Sequence, residues 1–179
     1  MAFVGLRVPH DIARVLSTLD VPGRREDPGF YHLTILYVGK DLPIEDIAKA
    51  TIAVFEVSQE TAPFLLRTSK VTSFDDHGDG FPVHCEIVSP GLQALHGRLK
   101  ASFDRHGVEY SKKWPVYKPH MTLAYSPERV EDRAIPPVEW GASEVVFWGG
   151  DEGDQRISVN FPFTLSLAQR IARRFQRLP

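Results

Sequence analysis

Residues 31–37 read YHLTILY and residues 119–125 read PHMTLAY, so the phrase His, apolar, Thr, apolar, variable, Tyr stands once in each half of the chain. Aligned on their histidines, the stretches match beyond the phrase. Arg24 and Arg25 fall on Lys112 and Lys113, His32 on His120, Thr34 on Thr122 and Tyr37 on Tyr125. Both phrases are strand-like, and successive side chains of a strand alternate faces. His32 and Thr34 therefore project together, as do His120 and Thr122, while Leu33, Ile35, Met121 and Leu123 point into an opposite, packed layer. Strict alternation puts Tyr37 and Tyr125 on the packed side as well, where core packing is their expected role. Two halves related by an approximate twofold axis would bring two imidazoles and two hydroxyls together across a cleft.

The flanking segments repeat the same order of elements. The patterns predict a strand over 2–8, a helix over 9–20 opened by Pro9, a strand over 31–38, a helix over 43–59 and a strand over 64–74. The turn cluster DDHGDG at 75–80 is the expected boundary between halves. A strand over 82–88 follows, then a helix opened by Pro90 and carried over 91–107 to a glycine stop, then the strand over 119–125. Strands over 144–149 and 156–167 flank the acidic turn GGDEGD, and the second alternates Ile157, Val159, Phe161, Phe163, Leu165 and Leu167. A basic tail, AQRIARRFQRLP, occupies 168–179.

Composition narrows the function classes. The 179 residues are 42% hydrophobic and 25% charged, as expected of an ordinary globular domain. The single cysteine, Cys85, lies in the apolar run PVHCEIV, so no intramolecular disulfide or cysteine-based metal cluster can form, and a reducing cytoplasm is the expected compartment. MAFVGLRVPHDI lacks the features of a signal peptide, and no window reaches the roughly 20 apolar residues of a bilayer span. A formal net charge of −2 argues against a broad nucleic-acid footprint, so contacts with nucleic acid should be local.

The paired constellation suits one kind of chemistry. An imidazole titrates at about pH 6.5, so near neutrality one histidine can accept a proton while another donates one. Threonine hydroxyls without an activating base are poor nucleophiles but suit holding the non-bridging oxygens of a phosphate. Neither motif carries a second histidine or a carboxylate at ligand spacing, so no metal and no cofactor are expected. The implied reaction is metal-free phosphodiester cleavage, with water attacking in line and the leaving alkoxide taking up a proton.

Through these two His-x-Thr motifs the sequence resembles the 2H phosphoesterases, and within them the bacterial RNA 2′,3′-cyclic phosphodiesterase and 2′-5′ RNA ligase-like (LigT-type) enzymes. The resemblance spans nearly the whole chain, although YHLT is less typical than KPHMT. It implies an α+β fold of two pseudo-symmetric lobes, each an antiparallel sheet with helices on its outer face, around a central cleft. The chain would form one bilobal domain over 1–179 with interleaved lobes and approximate repeat halves 1–78 and 79–167. The resemblance also implies opening of a 2′,3′-cyclic phosphate to a 2′-phosphomonoester. His32 would be the acid for the 3′ oxygen, His120 the base for water, and Thr34 and Thr122 the phosphate-binding groups. A 2′-5′ RNA ligase-like activity is implied too. The expected ligands are an RNA terminus, a nucleotide 2′,3′-cyclic phosphate or a cyclic oligonucleotide signal, with a monomeric protein and no membrane. A non-catalytic module binding nucleotides or RNA ends in the same cleft is the alternative of a different class.

Other residues have lesser expectations. Arg24, Arg25, Lys112, Lys113, Lys40 and Lys118 are candidate anion contacts. Tyr31, Trp114 and Tyr117, with Phe30, are loop aromatics on which a base could stack. His84 and Glu86 share a strand face and are expected to be a satisfied rim pair rather than an orienting one. His10, His77, His96 and His106 are assigned no role, and Arg170, Arg173, Arg174 and Arg177 of the tail are expected on a solvated helix face. The region 126–142, rich in Pro and charge, is expected to be able to reshape the cleft rim.

Overall fold

The computed structural model describes residues 1–76, 78–149 and 157–164. The basic tail, most of the GGDEGD turn, His77, Leu165 and Leu167 lie outside them. Strand β1 (Ala2–Arg7) leads to helix α1 (His10–Leu16), the two-residue strand β2 (Arg24–Arg25) and a 3-10 turn over Pro28–Phe30. Strand β3 (His32–Gly39), helix α2 (Ile44–Gln59) and strand β4 (Phe64–Ser73) follow. Strand β5 (Phe81–Val88), helix α3 (Pro90–His106) and strand β6 (His120–Ser126) repeat that order. Strands β7 (Arg133–Ala134), β8 (Glu139–Ala142), β9 (Glu144–Gly149) and β10 (Ile157–Pro162) complete the described chain.

All strand pairs are antiparallel, and they form two sheets. One has the order β10-β9-β1-β3, and the other runs β2-β6-β5-β4-β7, with β8 also on β4. The two sheets interleave the chain: β4 leaves the first half for the second sheet, and β9 and β10 return to complete the first. The α+β class and the antiparallel sheets are those the resemblance implies, and among the described residues the three helices fall where the sequence pattern predicts them.

Local chemistry accounts for the helix limits. Pro43 caps α2 with extended backbone, and Glu45 and Asp46 in the first turn complement the helix dipole. Pro90 occupies the first turn of α3, and Gly107 ends it in the left-handed conformation at φ 65°. Helix α1 stops short of the expected residue 20. The Ser17 and Thr18 hydroxyls donate to the Arg14 and Val15 carbonyls at 2.8 Å each, offering the backbone a local alternative to another turn. Within the region 126–142, β7 and β8 pair with the outer edge of β4, and Trp140, facing inward, is buried. The last strand ends at Pro162 rather than 167, although Phe161 and Phe163 are buried as its alternation requires.

Helices α2 and α3 pack on each other and behind the sheets. Ile47, Ala50, Ala53, Val54 and Val57 of one and Leu92, Leu95, Leu99 and Phe103 of the other are buried. The small Ala53 lets α3 approach closely enough for the Ser102 hydroxyl to donate to its carbonyl at 3.2 Å. Leu33, Ile35, Met121 and Leu123 are almost wholly buried in the same core. Each such side chain contributes roughly 1.5–3 kcal/mol by leaving water, which fixes the register of β3 and β6 and leaves their histidines on the other face.

Candidate active site

His32 and His120 are each the first residue of a strand, and each ring is fixed in the same way. The His32 Nδ1 lies 2.8 Å from the Phe30 carbonyl, and the His120 Nδ1 lies 2.7 Å from the Lys118 carbonyl. A carbonyl only accepts, so both rings carry their proton on Nδ1 when neutral and keep Nε2 free. Strands β3 and β6 come from different sheets yet lie against each other. The two rings are close enough that His32 helps lower the pKa of His120, whose main cause is burial; the Lys118 carbonyl opposes it.

The threonines flank the histidines as the spacing requires, half-buried on the same face. Thr34 stands opposite Gly5 and Thr122 opposite His84. Immediately beyond each threonine the pairing slips by one residue: Thr34 and Leu36 face consecutive residues Gly5 and Val4, and Thr122 and Ala124 face consecutive residues His84 and Val83. The extra residues, Ile35 and Leu123, form a β-bulge in each motif strand. Both strands show the same burial pattern over seven residues, and Tyr37 and Tyr125 are half-buried on the face of the histidines. The expectation that strict alternation carries the tyrosines into the core is corrected by this bulge, which inverts the phase after its second apolar residue. Adjacent apolar residues, Ile35-Leu36 and Leu123-Ala124, were the available signal.

The surroundings of the two histidines differ. Beside His32 lie Phe3, with ring centroids 5.1 Å apart, and Trp148 at 6.0 Å; Phe3 and Trp148 are stacked at 4.7 Å. Arg7, opposite His32 in register, covers Trp148 at 5.0 Å and donates to the Ser158 hydroxyl at 2.7 Å. Beside His120 lie Phe74, edge-on at 4.7 Å, and His84 at 5.4 Å, with Phe74 and His84 stacked at 3.8 Å. Burial lowers the pKa of His84 to about 4, with the positive potential of nearby His120 adding to it and the Pro82 carbonyl opposing it. His84 is thus a buried, neutral third imidazole against His120, while Glu86 accepts from Ser69, pairs with Lys70 and opposes the lowering of the His84 pKa by its charge. Phe3, Phe74, His84, Arg7 and Trp148 carried no repeated signal and were not found from sequence as site residues.

The remaining candidates divide. Tyr31 is 5% exposed and belongs to the core, in phase with the buried Leu33 and Ile35. It is not a cleft-mouth aromatic. Arg25 is also structural, since its guanidinium donates to the Ser17 and Leu19 carbonyls left open after α1. Lys40 follows β3, eight residues beyond His32 and so roughly 25 Å along the strand; it does not join the histidine. Arg24 covers Tyr125 at 5.5 Å, far along β6 from His120. Lys112 lies over Tyr110 at 5.9 Å and Lys113 over Trp114 at 5.1 Å. Trp114 is exposed and meets Tyr37 edge-on at 6.4 Å, and Phe30 is exposed. Tyr117 stacks on His96 at 4.5 Å, with its hydroxyl buried. Lys118 gives its carbonyl to His120.

A cavity of about 580 Å³ opens beside the histidine pair rather than between its members. Lys70, Phe74, His84, Glu86, Tyr117 and Lys118 are among the residues that line it. Among the described residues no three His, Cys, Asp or Glu side chains are grouped to hold a metal ion, and no helix is long and apolar enough to cross a membrane.

Residues 12–154 match the family model of the 2′-5′ RNA ligase superfamily. No curated protein sequence matches the chain. Among solved structures, TT0787 of Thermus thermophilus superposes with a TM-score of 0.71 at 20% identity, covering 90% of this chain and 97% of that one. A protein described as a phosphoesterase gives 0.68 at 18% identity, covering 92% and 98%. E. coli LigT in its apo form gives 0.67 at 18% identity, covering 92% and 97%, and LigT has also been crystallised with 3′-AMP, ATP and phosphate. These likenesses establish the fold.

Proposed function

Since the chain belongs to the 2′-5′ RNA ligase superfamily of two-histidine phosphoesterases, we propose that it opens the 2′,3′-cyclic phosphate of an RNA end or nucleotide to a 2′-phosphomonoester without a metal ion. The observation that carries this reading is the matched anchoring of two imidazoles by their Nδ1 atoms, which leaves both Nε2 atoms for proton transfer. The His120 Nε2 takes a proton from water as its oxygen forms a bond to phosphorus. The bond from phosphorus to the 3′ oxygen breaks, and the Nε2 proton of a protonated His32 passes to that oxygen. Thr34 and Thr122 donate to the two non-bridging oxygens, where charge builds. The lowered pKa of His120 supports its role as the base, because it is then neutral and able to accept near pH 7. A 5′-hydroxyl in place of water gives a 2′-5′ linkage by the same proton transfers, which is the ligase-like activity. The nucleotides and phosphate held by LigT support a nucleotide phosphate as the ligand.

The test is hydrolysis of nucleoside 2′,3′-cyclic phosphates in excess EDTA, with the 2′- and 3′-phosphate products resolved. Formation of 2′-phosphate is expected, and His32→Ala and His120→Ala should each reduce turnover by about 10²-fold or more, as loss of a general acid or base does. A 3′-phosphate product, inhibition by EDTA, or full activity in either variant would contradict the proposal. Retained nucleotide affinity without turnover in the wild type would favour a binding module.

A further inference from the structure

We infer that the cavity beside His120 is a base-binding subsite selective for guanine in the nucleotide whose phosphate lies between His32 and His120. This rests on the cleft being a nucleotide phosphate site. The cavity adjoins that site: Phe74 and His84 line the cavity and pack against the His120 ring, and Lys118 and Pro119 lead directly into His120. In a 2′,3′-cyclic nucleotide the base leaves the ribose next to the 2′ oxygen, which stays on phosphorus. The base therefore falls to one side of the line from the attacking water to the 3′ oxygen, as this cavity does relative to the histidine pair. At about 580 Å³ it is within the ordinary range for a small-molecule site, roughly 300–1,000 Å³.

Its lining selects among bases. Phe74, Pro90, Tyr117 and Pro119 supply apolar and aromatic walls. On the sheet face Glu86 stands opposite His120 in register, and its Oε1 accepts from the Ser69 hydroxyl at 2.9 Å. The Lys70 ammonium lies 3.7 Å from the Glu86 Oε2 and 2.5 Å from the Asp132 Oδ2. A carboxylate has about four acceptor positions, so Glu86 retains capacity for two further donors. Guanine presents two adjacent donors, N1–H and the N2 amino group, followed by the O6 acceptor; a carboxylate next to an ammonium matches all three. Adenine and cytosine offer the carboxylate one amino group, and uracil a single N3–H between two carbonyls that Glu86 repels. The mirrored place beside His32 is occupied by Arg7, which offers donors only and so makes no such match.

The experiment compares kcat/KM for the four nucleoside 2′,3′-cyclic phosphates, and measures calorimetric affinities for the corresponding 2′-monophosphates, in wild type, Glu86→Gln and Lys70→Met. Guanosine is expected to be favoured over uridine by at least about tenfold in both measurements, the scale of one bidentate base contact. Glu86→Gln should remove most of that ratio, and Lys70→Met should reduce it. Taking ratios within each variant cancels any general loss of folded protein. Equal values for the four bases, or a guanosine preference that survives Glu86→Gln, would overturn the subsite while leaving the cyclic phosphodiesterase reading intact. Absence of turnover with every cyclic nucleotide would sink that reading, and the monophosphate affinities would still decide the subsite.

Discussion

His84 and His120 pack edge to face with ring centroids 5.4 Å apart, and burial lowers the pKa of both. The consequence for stability has a definite sign. Folded His84 stays neutral down to about pH 4, whereas the unfolded chain binds a proton on it below the ordinary value of 6.5. The unfolded state therefore holds more protons between those limits, so stability is intact above pH 6.5 and falls as pH drops towards 4. The slope is about 1.4 kcal/mol per pH unit, or roughly 3 kcal/mol across the window. Urea unfolding of wild type and His84→Gln at pH 7, 5.5 and 4.5 checks this. A shallower pH slope in the variant is expected, and parallel slopes would count against it. The motif histidines were legible because the sequence writes them twice with their threonines. His84 was not, since its role comes from stacking on Phe74 across β4 and β5, a pairing with no local mark in sequence.

At the scale of elements, two bulged strands set the face that the cleft sees. The helices and long strands were readable from periodicity and from Pro and Gly punctuation. The bulges were not, because a period-2 reading cannot absorb an extra residue, and so it sent Tyr37 and Tyr125 to the wrong side. The short strands β2, β7 and β8 were also missed, being edge pieces held by their partners rather than by propensity. The first bulge depends on close approach at Gly5. A Cβ there would lie 2.4 Å from the Leu33 carbonyl oxygen and 3.2 Å from Trp148. Neither the backbone of β3, held by its buried Leu33 and Ile35, nor an indole stacked on Phe3 can retreat cheaply. Gly5→Ala is expected to destabilise by roughly 3 kcal/mol, the upper end for overpacking, and to lower kcat by moving β3 with its histidine. A midpoint in urea within error of wild type would refute the claim.

At the scale of the whole molecule, the repeat is close in its anchoring and broken in its surroundings. Each motif histidine is fixed by the carbonyl two residues before it and followed by a bulge, yet one sits by Arg7, Phe3 and Trp148 and the other by His84, Phe74 and Glu86. The repeat shows in the sequence because the same strand is built twice. The crossing of β4 to the second sheet and the return of β9 and β10 to the first do not show, since they depend on which edge is left open once the core has formed. This asymmetry supports the different parts proposed for two similar imidazoles, His120 as base and His32 as acid. Cyclic nucleotides carrying sulfur at the 3′ bridging position separate these parts, because a thiolate leaves without being protonated. The decisive measurement is the rate of wild type, His32→Ala and His120→Ala on the oxygen and 3′-sulfur substrates. The sulfur substrate is expected to restore at least about tenfold of the rate lost in His32→Ala and none of that lost in His120→Ala. Rescue of His120→Ala instead, or of neither variant, would contradict the division of labour.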